Sequence, residues 1–176
     1  MKKAKYKDVT KEWLMKATPN SHEILIDNYF IDDNGIMHPI KGKERMHSVP
    51  LYNEEYFKAL WLKETFGGEI HLVPRITDIS NTGISTPTPD YIWNNEKWDL
   101  KTPTTKGNFN NTLERFLKSK GIKKQATNFI IDYVNYKQKT DKEIIDTVYK
   151  VIYNRDWVNK IMVIRDKKAI IILIKK

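Results

Sequence analysis

The chain has 176 residues, of which 40% are hydrophobic and 30% charged, the balance of a folded globular protein with a substantial core. Lysine and arginine outnumber aspartate and glutamate by 31 to 22, and the formal charge of +9 favours a polyanionic partner, most simply nucleic acid, over a merely solvated basic surface. The absence of cysteine excludes disulfides and thiolate metal sites, and the longest apolar run, Ala169–Ile174, is too short to span a bilayer.

The first fifty residues have little patterning of their own. They begin Lys-rich but without the apolar segment of a secretory signal peptide. Lys2–Lys16 predicts a short helix that ends before Pro19. Glu23–Phe30 predicts a strand, and the turn sequence Asp32–Gly35 leads to a second strand at Ile36–His38. The acidic turn lacks the remaining ligands of a calcium loop, so a plain hairpin turn is the better interpretation.

A helix is predicted over Asn53–Phe66, where apolar residues recur at steps of three and four and the first residue is a suitable N-cap. The pair Gly67-Gly68 predicts where this helix ends. Glu55 lies on the stripe that faces the core, one turn before Ala59, from where a carboxylate can face the end of a neighbouring strand. Glu54 is the alternative acid, and an acid that only stabilises the helix dipole is the remaining interpretation.

The next segments predict strands. Glu69–Val73 alternates in the manner of a strand, and the polar loop 77–88 leads from it into a hairpin. The hairpin consists of Tyr91–Trp93 and Trp98–Leu100, two aromatic and apolar runs that flank Asn94-Asn95-Glu96.

This hairpin carries the candidate chemistry. Asp99 and Lys101 are two residues apart, so on a strand they share a face, while Leu100 points the other way. Asp90 opens the first strand, and a register that pairs the two strands brings it close to Asp99. Carboxylates are the hard ligands that hold Mg²⁺ or Mn²⁺, and a lysine beside them orients water or stabilises charge on a phosphate. The alternative is an ordinary hairpin with a surface aspartate and lysine.

The remainder of the chain predicts a helix around Asn111–Lys120, a strand at Phe129–Val134, a helix at Asp141–Tyr153 and a final hairpin. The final hairpin consists of Lys160–Ile164 and Ala169–Ile174. A cationic cluster on and after the first of these helices suits phosphate binding, although a solvated surface is the alternative. Its members are Arg115, Lys118, Lys120, Lys123 and Lys124.

From residue 53 the predicted elements follow the order helix, strand, hairpin, helix and strand. This order resembles the core of the PD-(D/E)xK nuclease superfamily. The motif of that superfamily matches Pro89-Asp90 and Asp99-Leu100-Lys101. Over roughly residues 53–135 the chain is more closely similar to the C-terminal tRNase domain of CdiA-type contact-dependent inhibition toxins. The most specific part is the string Trp98–Thr104, and a Lys124-Gln125 pair precedes the fourth strand as it does in that family. Family members often have glutamate where this chain has Asp99. The aspartate side chain is shorter, so it reaches less far toward a metal.

The resemblance implies an α/β fold with a mixed central sheet flanked by helices. We expect a nuclease domain at residues 51–176 after an N-terminal appendage or small lobe at 1–50, which the resemblance does not cover. It implies a metal-dependent endonuclease, most simply a tRNase acting in the cytoplasm of a target bacterium and neutralised by an immunity protein. The implied catalytic residues are Glu55, Asp90, Asp99, Lys101 and Gln125, with Glu55, Asp90 and Asp99 as ligands of Mg²⁺, or of Mn²⁺ or Zn²⁺. The expected substrate contacts are Thr102, Arg115, Lys118, Lys123 and Lys124.

Two other classes of function remain open at this level. One is a DNA nuclease of a phage or mobile element with the same fold, since the sequence does not distinguish RNA from DNA. The other is a nucleic-acid-binding module without catalysis. Within the resembled family, catalysis without a metal is a further alternative, which resistance of cleavage to EDTA would reveal.

Overall fold

The structure, a computed structural model, describes residues 5–26, 29–31, 37–39, 50–73, 88–104, 109–117 and 126–176. Within these residues the fold is α/β, with eight strands in one mixed sheet and four helices. The predicted class is therefore confirmed at the level of an α/β protein with a mixed sheet. The chain divides into two compact units: the first unit is Met1–Met15 with Asp99–Lys176, and the second unit is Lys16–Trp98.

The described elements alternate irregularly between strands and helices along the chain. In order they are β1 (Tyr6–Asp8), α1 (Thr10–Lys16), β2 (Ile24–Ile26), β3 (Tyr29–Ile31), β4 (Met37–Pro39), α2 (Pro50–Thr65), β5 (Ile70–Leu72), β6 (Tyr91–Trp93), β7 (Glu96–Lys101), α3 (Phe109–Phe116), β8 (Asn128–Asp132), α4 (Asp141–Ile152), β9 (Lys160–Arg165) and β10 (Lys168–Lys175).

The first unit is built on the strand order β1-β10-β9-β8, in which only β8 and β9 run parallel. Helices α3 and α4 supply apolar residues to one core with these strands. All five residues of β8 are buried, as expected for a parallel strand in the interior of a sheet. The largest fully buried side chains of this core are Leu113, Leu117, Ile131, Tyr133, Ile144 and Ile152.

The N-terminus corrects one prediction. The helix expected over Lys2–Lys16 begins only at Thr10, and β1 precedes it. Tyr6 pairs with Lys175 of β10, and its ring is 5% exposed within the core of the first unit. The side chain of Asp8 accepts hydrogen bonds from the amide and hydroxyl of Thr10, at 2.9 and 2.6 Å, where α1 begins. The pairing partner of β1 lies more than 160 residues away in sequence, so the local sequence pattern could not predict this strand.

The second unit contains the strand order β7-β6-β5-β2, with β2 parallel to β5, and α2. Aromatic rings run in contact from the end of α2 across β6 to β7, with centroids 5.8 Å apart for Phe66–Trp93 and 5.4 Å for Trp93–Trp98. The indole Nε1 of Trp93 also donates to the Gly67 carbonyl at 2.9 Å. These contacts fix the end of α2 against the hairpin. Strands β3 and β4 form a separate two-stranded sheet, and the turn Asp32–Gly35 lies outside the described residues.

Helix α2 ends where the glycine pair predicts. Gly67 has φ of 71°, and its amide donates to the carbonyls of Leu62 and Lys63, both at 3.1 Å. A Cβ atom at Gly67 would lie 1.8 Å from the carbonyl oxygen of Thr18. Only glycine therefore fits this position, on grounds of both backbone conformation and space.

The hairpin of β6 and β7 is confirmed, with Tyr91 opposite Trp98 and Trp93 opposite Glu96. A two-residue turn joins the strands, so Glu96 opens β7 instead of belonging to the turn. The last residues of β7, from Asp99 onward, belong to the first unit.

The predicted domain boundary at residue 50 stays a prediction, and the two compact units of the structure are not divided at that position. Strand β1 pairs with β10 in the first unit, and β2 pairs with β5 in the second. Residues before position 50 therefore contribute strands to both units.

Candidate active site

Asp99 and Lys101 form a close ion pair on β7. The Nζ atom of Lys101 lies 2.6 Å from Oδ2 of Asp99. Asp99 is 3% exposed, whereas 24% of the Lys101 side chain is exposed. The lysine thus keeps access to solvent while its carboxylate partner does not. The prediction that these two side chains share a face of the strand is confirmed.

The burial of Asp99 distinguishes this pair from a surface ion pair. Removing a carboxylate from water is costly, and proteins compensate the loss of hydration with charged or hydrogen-bonding partners. A charge-assisted contact with an ammonium group provides such compensation. An ordinary hairpin with a surface aspartate and lysine does not account for a carboxylate that is almost fully buried.

Asp90 is placed by the backbone of the second unit. Its amide donates to the carbonyl of Trp98 at 3.1 Å, and its carbonyl accepts from the amide of Val73 at 3.0 Å. Tyr91 is paired with Trp98, so Asp90 and Asp99 are the next residues along each strand beyond that pair. Asp90 is partly buried.

Glu55 lies on α2, and its backbone is tied to the same hairpin. The hydroxyl of Tyr91, a fully buried side chain, donates to the Glu55 carbonyl at 2.8 Å. Glu55 is partly buried, whereas the alternative acid Glu54 is exposed. Within the second unit, the Glu55 turn of the helix is thus held against the residue that follows Asp90.

The expected metal ligands are divided between the two units, with Glu55 and Asp90 in the second and Asp99 in the first. In the part of the chain that the structure describes, no group of three or more histidine, aspartate or glutamate residues is placed to hold a metal ion. Because the predicted set spans both units, it stays a prediction. Its donor chemistry suits a hard cation, since Mg²⁺ is usually held by one or two carboxylates, with water and substrate phosphate completing the shell.

The expected substrate contacts are described in part. Thr102 follows the ion pair directly and is partly buried, and Arg115 is exposed near the end of α3. Gln125, Lys118, Lys123 and Lys124 lie outside the described residues. The expected roles of all six residues stay predictions.

Three polar residues near the end of β8 were not among the expected site residues. Asp132 ends β8 and is 7% exposed; Asn135 and Tyr136 follow in the next turn. Both of these donate to backbone carbonyls of the segment after Lys101. The sequence contains one signal for them, namely the polar residues that follow an apolar strand. Binding sites commonly lie at the carboxyl ends of parallel strands.

Comparison with known families bears on the same region. The model of the contact-dependent growth inhibition CdiA C-terminal domain matches residues 87–170, slightly under half of the chain. Over residues 87–170 the chain is similar to the CdiA C-terminal domain family. The resemblance seen in the sequence is thereby confirmed at the level of the family. No curated protein and no solved structure matches the chain.

The matched segment begins just before the hairpin and extends into β10, so it includes Asp90, Asp99, Lys101 and Thr102. Glu55 lies outside it. A CdiA C-terminal domain indicates a toxin of contact-dependent growth inhibition, a class that is paired with immunity proteins and delivered into target cells. Among the described residues, no helix is long and apolar enough to cross a membrane.

Proposed function

We propose that this CdiA C-terminal domain is a metal-dependent endonuclease of the PD-(D/E)xK type that cleaves tRNA. The observation that carries the proposal is the Asp99–Lys101 pair, a buried carboxylate 2.6 Å from a partly exposed ammonium group, inside the matched segment. A toxin needs an activity that harms its target cell, and this pair has the composition of a phosphodiester-cleaving site.

Lys101 supplies a positive charge that is held in place. An ammonium group has three N–H donors, and the contact with Asp99 uses one of them. The other donors can face the attacking water or a non-bridging phosphate oxygen, where they stabilise the negative charge of the transition state. Because Asp99 is buried, the direction of the ammonium group is constrained more tightly than on a free surface lysine.

Asp90 and Asp99 would hold a divalent ion, with Mg²⁺ the first choice and Mn²⁺ or Zn²⁺ the alternatives; Glu55 would complete the shell directly or through water. When bound, such an ion supplies a water of lowered pKa and neutralises charge on the phosphate. In this proposal Gln125 orients that water or a phosphate oxygen.

Nucleic acid as the substrate is supported by the net charge of +9. Thr102 and Arg115, with Lys118, Lys123 and Lys124, would contact the phosphate backbone. The choice of tRNA over DNA rests on the resemblance to CdiA-type tRNase toxins. The same resemblance supports action in the cytoplasm of the target bacterium and inhibition by a cognate immunity protein that binds near the site.

Cleavage by the purified chain tests the proposal. Wild type, Lys101→Ala and Lys168→Ala are incubated with total tRNA and with plasmid DNA, in Mg²⁺, Mn²⁺, Zn²⁺ or EDTA. Lys168 is an exposed lysine on β10 of the same unit and is not among the expected site residues, so its variant is a control for the loss of one positive charge. We expect wild type and Lys168→Ala to cleave tRNA with a divalent metal, and Lys101→Ala to lose at least about 100-fold in rate.

The other outcomes separate the competing functions. Cleavage of DNA in place of tRNA would identify a DNA nuclease with the same active site. Cleavage that persists in EDTA would remove the metal from the mechanism. Binding of nucleic acid without cleavage in any metal, equal in wild type and Lys101→Ala, would replace the proposal with a non-catalytic binding module.

A further inference from the structure

The segment that follows Lys101 is held by side chains from a different part of the first unit. The side-chain amide of Asn135 donates to the Pro103 carbonyl at 3.1 Å, and the hydroxyl of Tyr136 donates to the Thr104 carbonyl at 2.6 Å. The carbonyl groups of the second and third residues beyond Lys101 are thus bound by two consecutive residues. Residues 133–140, which connect β8 to α4 and carry these donors, are called the brace below.

The near end of the brace is fixed to the sheet. The amide of Tyr133 donates to the Ile164 carbonyl at 2.9 Å, continuing the pairing of β8 with β9. Oδ1 of the buried Asp132 accepts from the amide of Val134 at 3.0 Å, and the amide of Tyr136 donates to the Tyr133 carbonyl at 3.0 Å. The rings of Tyr133 and Tyr136 also meet edge to face, with centroids 5.5 Å apart.

The far end is fixed by one arginine and a helix cap. Arg165, at the end of β9, donates to the carbonyls of Lys137 and Lys139, and its guanidinium lies 3.1 Å from the carboxylate of Asp141. Thr140 and Glu143 form a capping box that starts α4. The brace is therefore held at both ends by hydrogen bonds to regular elements, whereas connecting loops are in general more mobile than the elements that they join.

We infer that Asn135 and Tyr136 are positioning residues for Lys101 and Thr102. They touch no reacting atom; they fix the peptide groups just beyond the end of β7, and so the direction in which Lys101 leaves the strand. A strand end without such contacts frays, and displacement of a catalytic group by about 1 Å can cost on the order of 100-fold in rate. This inference rests on the proposed function, since Lys101 has a reaction to perform only in that proposal.

Tyr136→Phe is the central variant, because it removes one hydroxyl and keeps the ring contact with Tyr133. Its matched control is Tyr6→Phe: Tyr6 is another buried tyrosine of the same unit whose hydroxyl donates to a carbonyl, that of Val158 at 2.9 Å. Asn135→Ala, with Asn154→Ala in an exposed turn as its control, forms a second pair. Each pair matches the chemical change, so a general loss of stability affects both members.

The measurements are the kcat and KM of tRNA cleavage, and hydrogen exchange of the peptide that spans residues 99–104. We expect kcat to fall on the order of 10-fold in Tyr136→Phe and in Asn135→Ala, because the lysine is less well aligned. KM should rise less than kcat falls, because Thr102 is the one expected substrate contact next to the braced segment. Exchange at residues 99–104 should accelerate in these two variants. Neither change is expected in Tyr6→Phe or Asn154→Ala.

Equal kcat values in each variant and its control would overturn the inference, and so would a loss of kcat without faster exchange at residues 99–104. If wild type cleaves no nucleic acid, the proposed function fails on its own. The exchange measurement then still decides the geometry: unchanged exchange in Tyr136→Phe and Asn135→Ala would show that the brace does not hold the end of β7.

Discussion

Asp99 is an acid with 3% of its surface exposed. Its lost hydration is compensated by the ammonium group of Lys101, two residues later on the same strand. At the scale of single residues this is the most informative feature of the chain. Exposed ion pairs contribute little to stability, but removing one partner of a buried pair leaves a charge without compensation. We therefore expect the pair to contribute to the free energy of unfolding, in addition to its proposed catalytic role.

A double-mutant cycle measures the contribution of the pair to stability. We expect Lys101→Met to lower the free energy of unfolding by about 3 kcal/mol, because Asp99 stays buried without its cation. In the variant Asp99→Asn/Lys101→Met the buried charge is also removed, and most of the loss should be recovered. Urea unfolding of wild type, Lys101→Met, Asp99→Asn and the double variant gives the coupling energy. The exposed substitution Lys168→Met should change stability by less than about 0.5 kcal/mol. Strictly additive effects would show that the two side chains do not compensate each other.

At the scale of elements, the hairpin of β6 and β7 depends on its turn. Asn94 and Asn95 have φ of 49° and 64°, the pair of positive values that a type I′ turn requires. Asn94 has a second role, because its side-chain oxygen accepts from the amide of Glu69 at 3.0 Å. The turn sets the register of the strands, in which Tyr91 lies opposite Trp98 and Trp93 opposite Glu96.

The two turn residues should respond differently to glycine. Asn95→Gly is expected to stabilise the protein by about 0.5 kcal/mol, since glycine adopts positive φ without a Cβ penalty. Asn94→Gly gains the same freedom but loses the hydrogen bond to Glu69, and should destabilise it by about 1 kcal/mol. Thermal unfolding of both variants tests the difference. Equal shifts in either direction would mean that the side chain of Asn94 has no structural role.

At the scale of the whole molecule, the matched family segment does not coincide with a compact unit. The segment covers residues 87–170, whereas the first unit combines Asp99–Lys176 with Met1–Met15. Tyr6 and Val9 are both 5% exposed, and β1 pairs with the outer side of β10. The beginning of the chain is thus part of the fold that carries Lys101.

Removal of residues 1–15 is expected to destabilise the first unit strongly, because it exposes β10 and leaves the space of a buried tyrosine empty. The substitution Tyr6→Ala alone should cost at least about 3 kcal/mol. Tyr153→Ala, at a tyrosine that is 50% exposed, is the matched control and should cost much less. Circular dichroism during thermal unfolding measures all three. An unchanged midpoint for the shortened chain would mean that residues 1–15 form a dispensable appendage.

Local pattern in the sequence was sufficient for the elements whose contacts are close in the chain. The Asn-Asn turn, the glycines that end α2 and the amphipathic α4 all follow from spacings of a few residues. The common face of Asp99 and Lys101 follows from the two-residue period of a strand. These features need no knowledge of the rest of the molecule, since the interacting groups are neighbours along the backbone.

Only the tertiary structure decided the remainder. The pairing of Tyr6 with Lys175 and the brace contacts of Asn135 and Tyr136 join residues that are far apart in sequence. The burial of Asp99 likewise comes from surrounding residues that no motif encodes. Long-range contacts depend on how separate elements pack, and one sequence reports only the preferences of each element. The composition, the motif and the family were therefore readable from the chain alone, whereas the support around Lys101 became visible only in the fold.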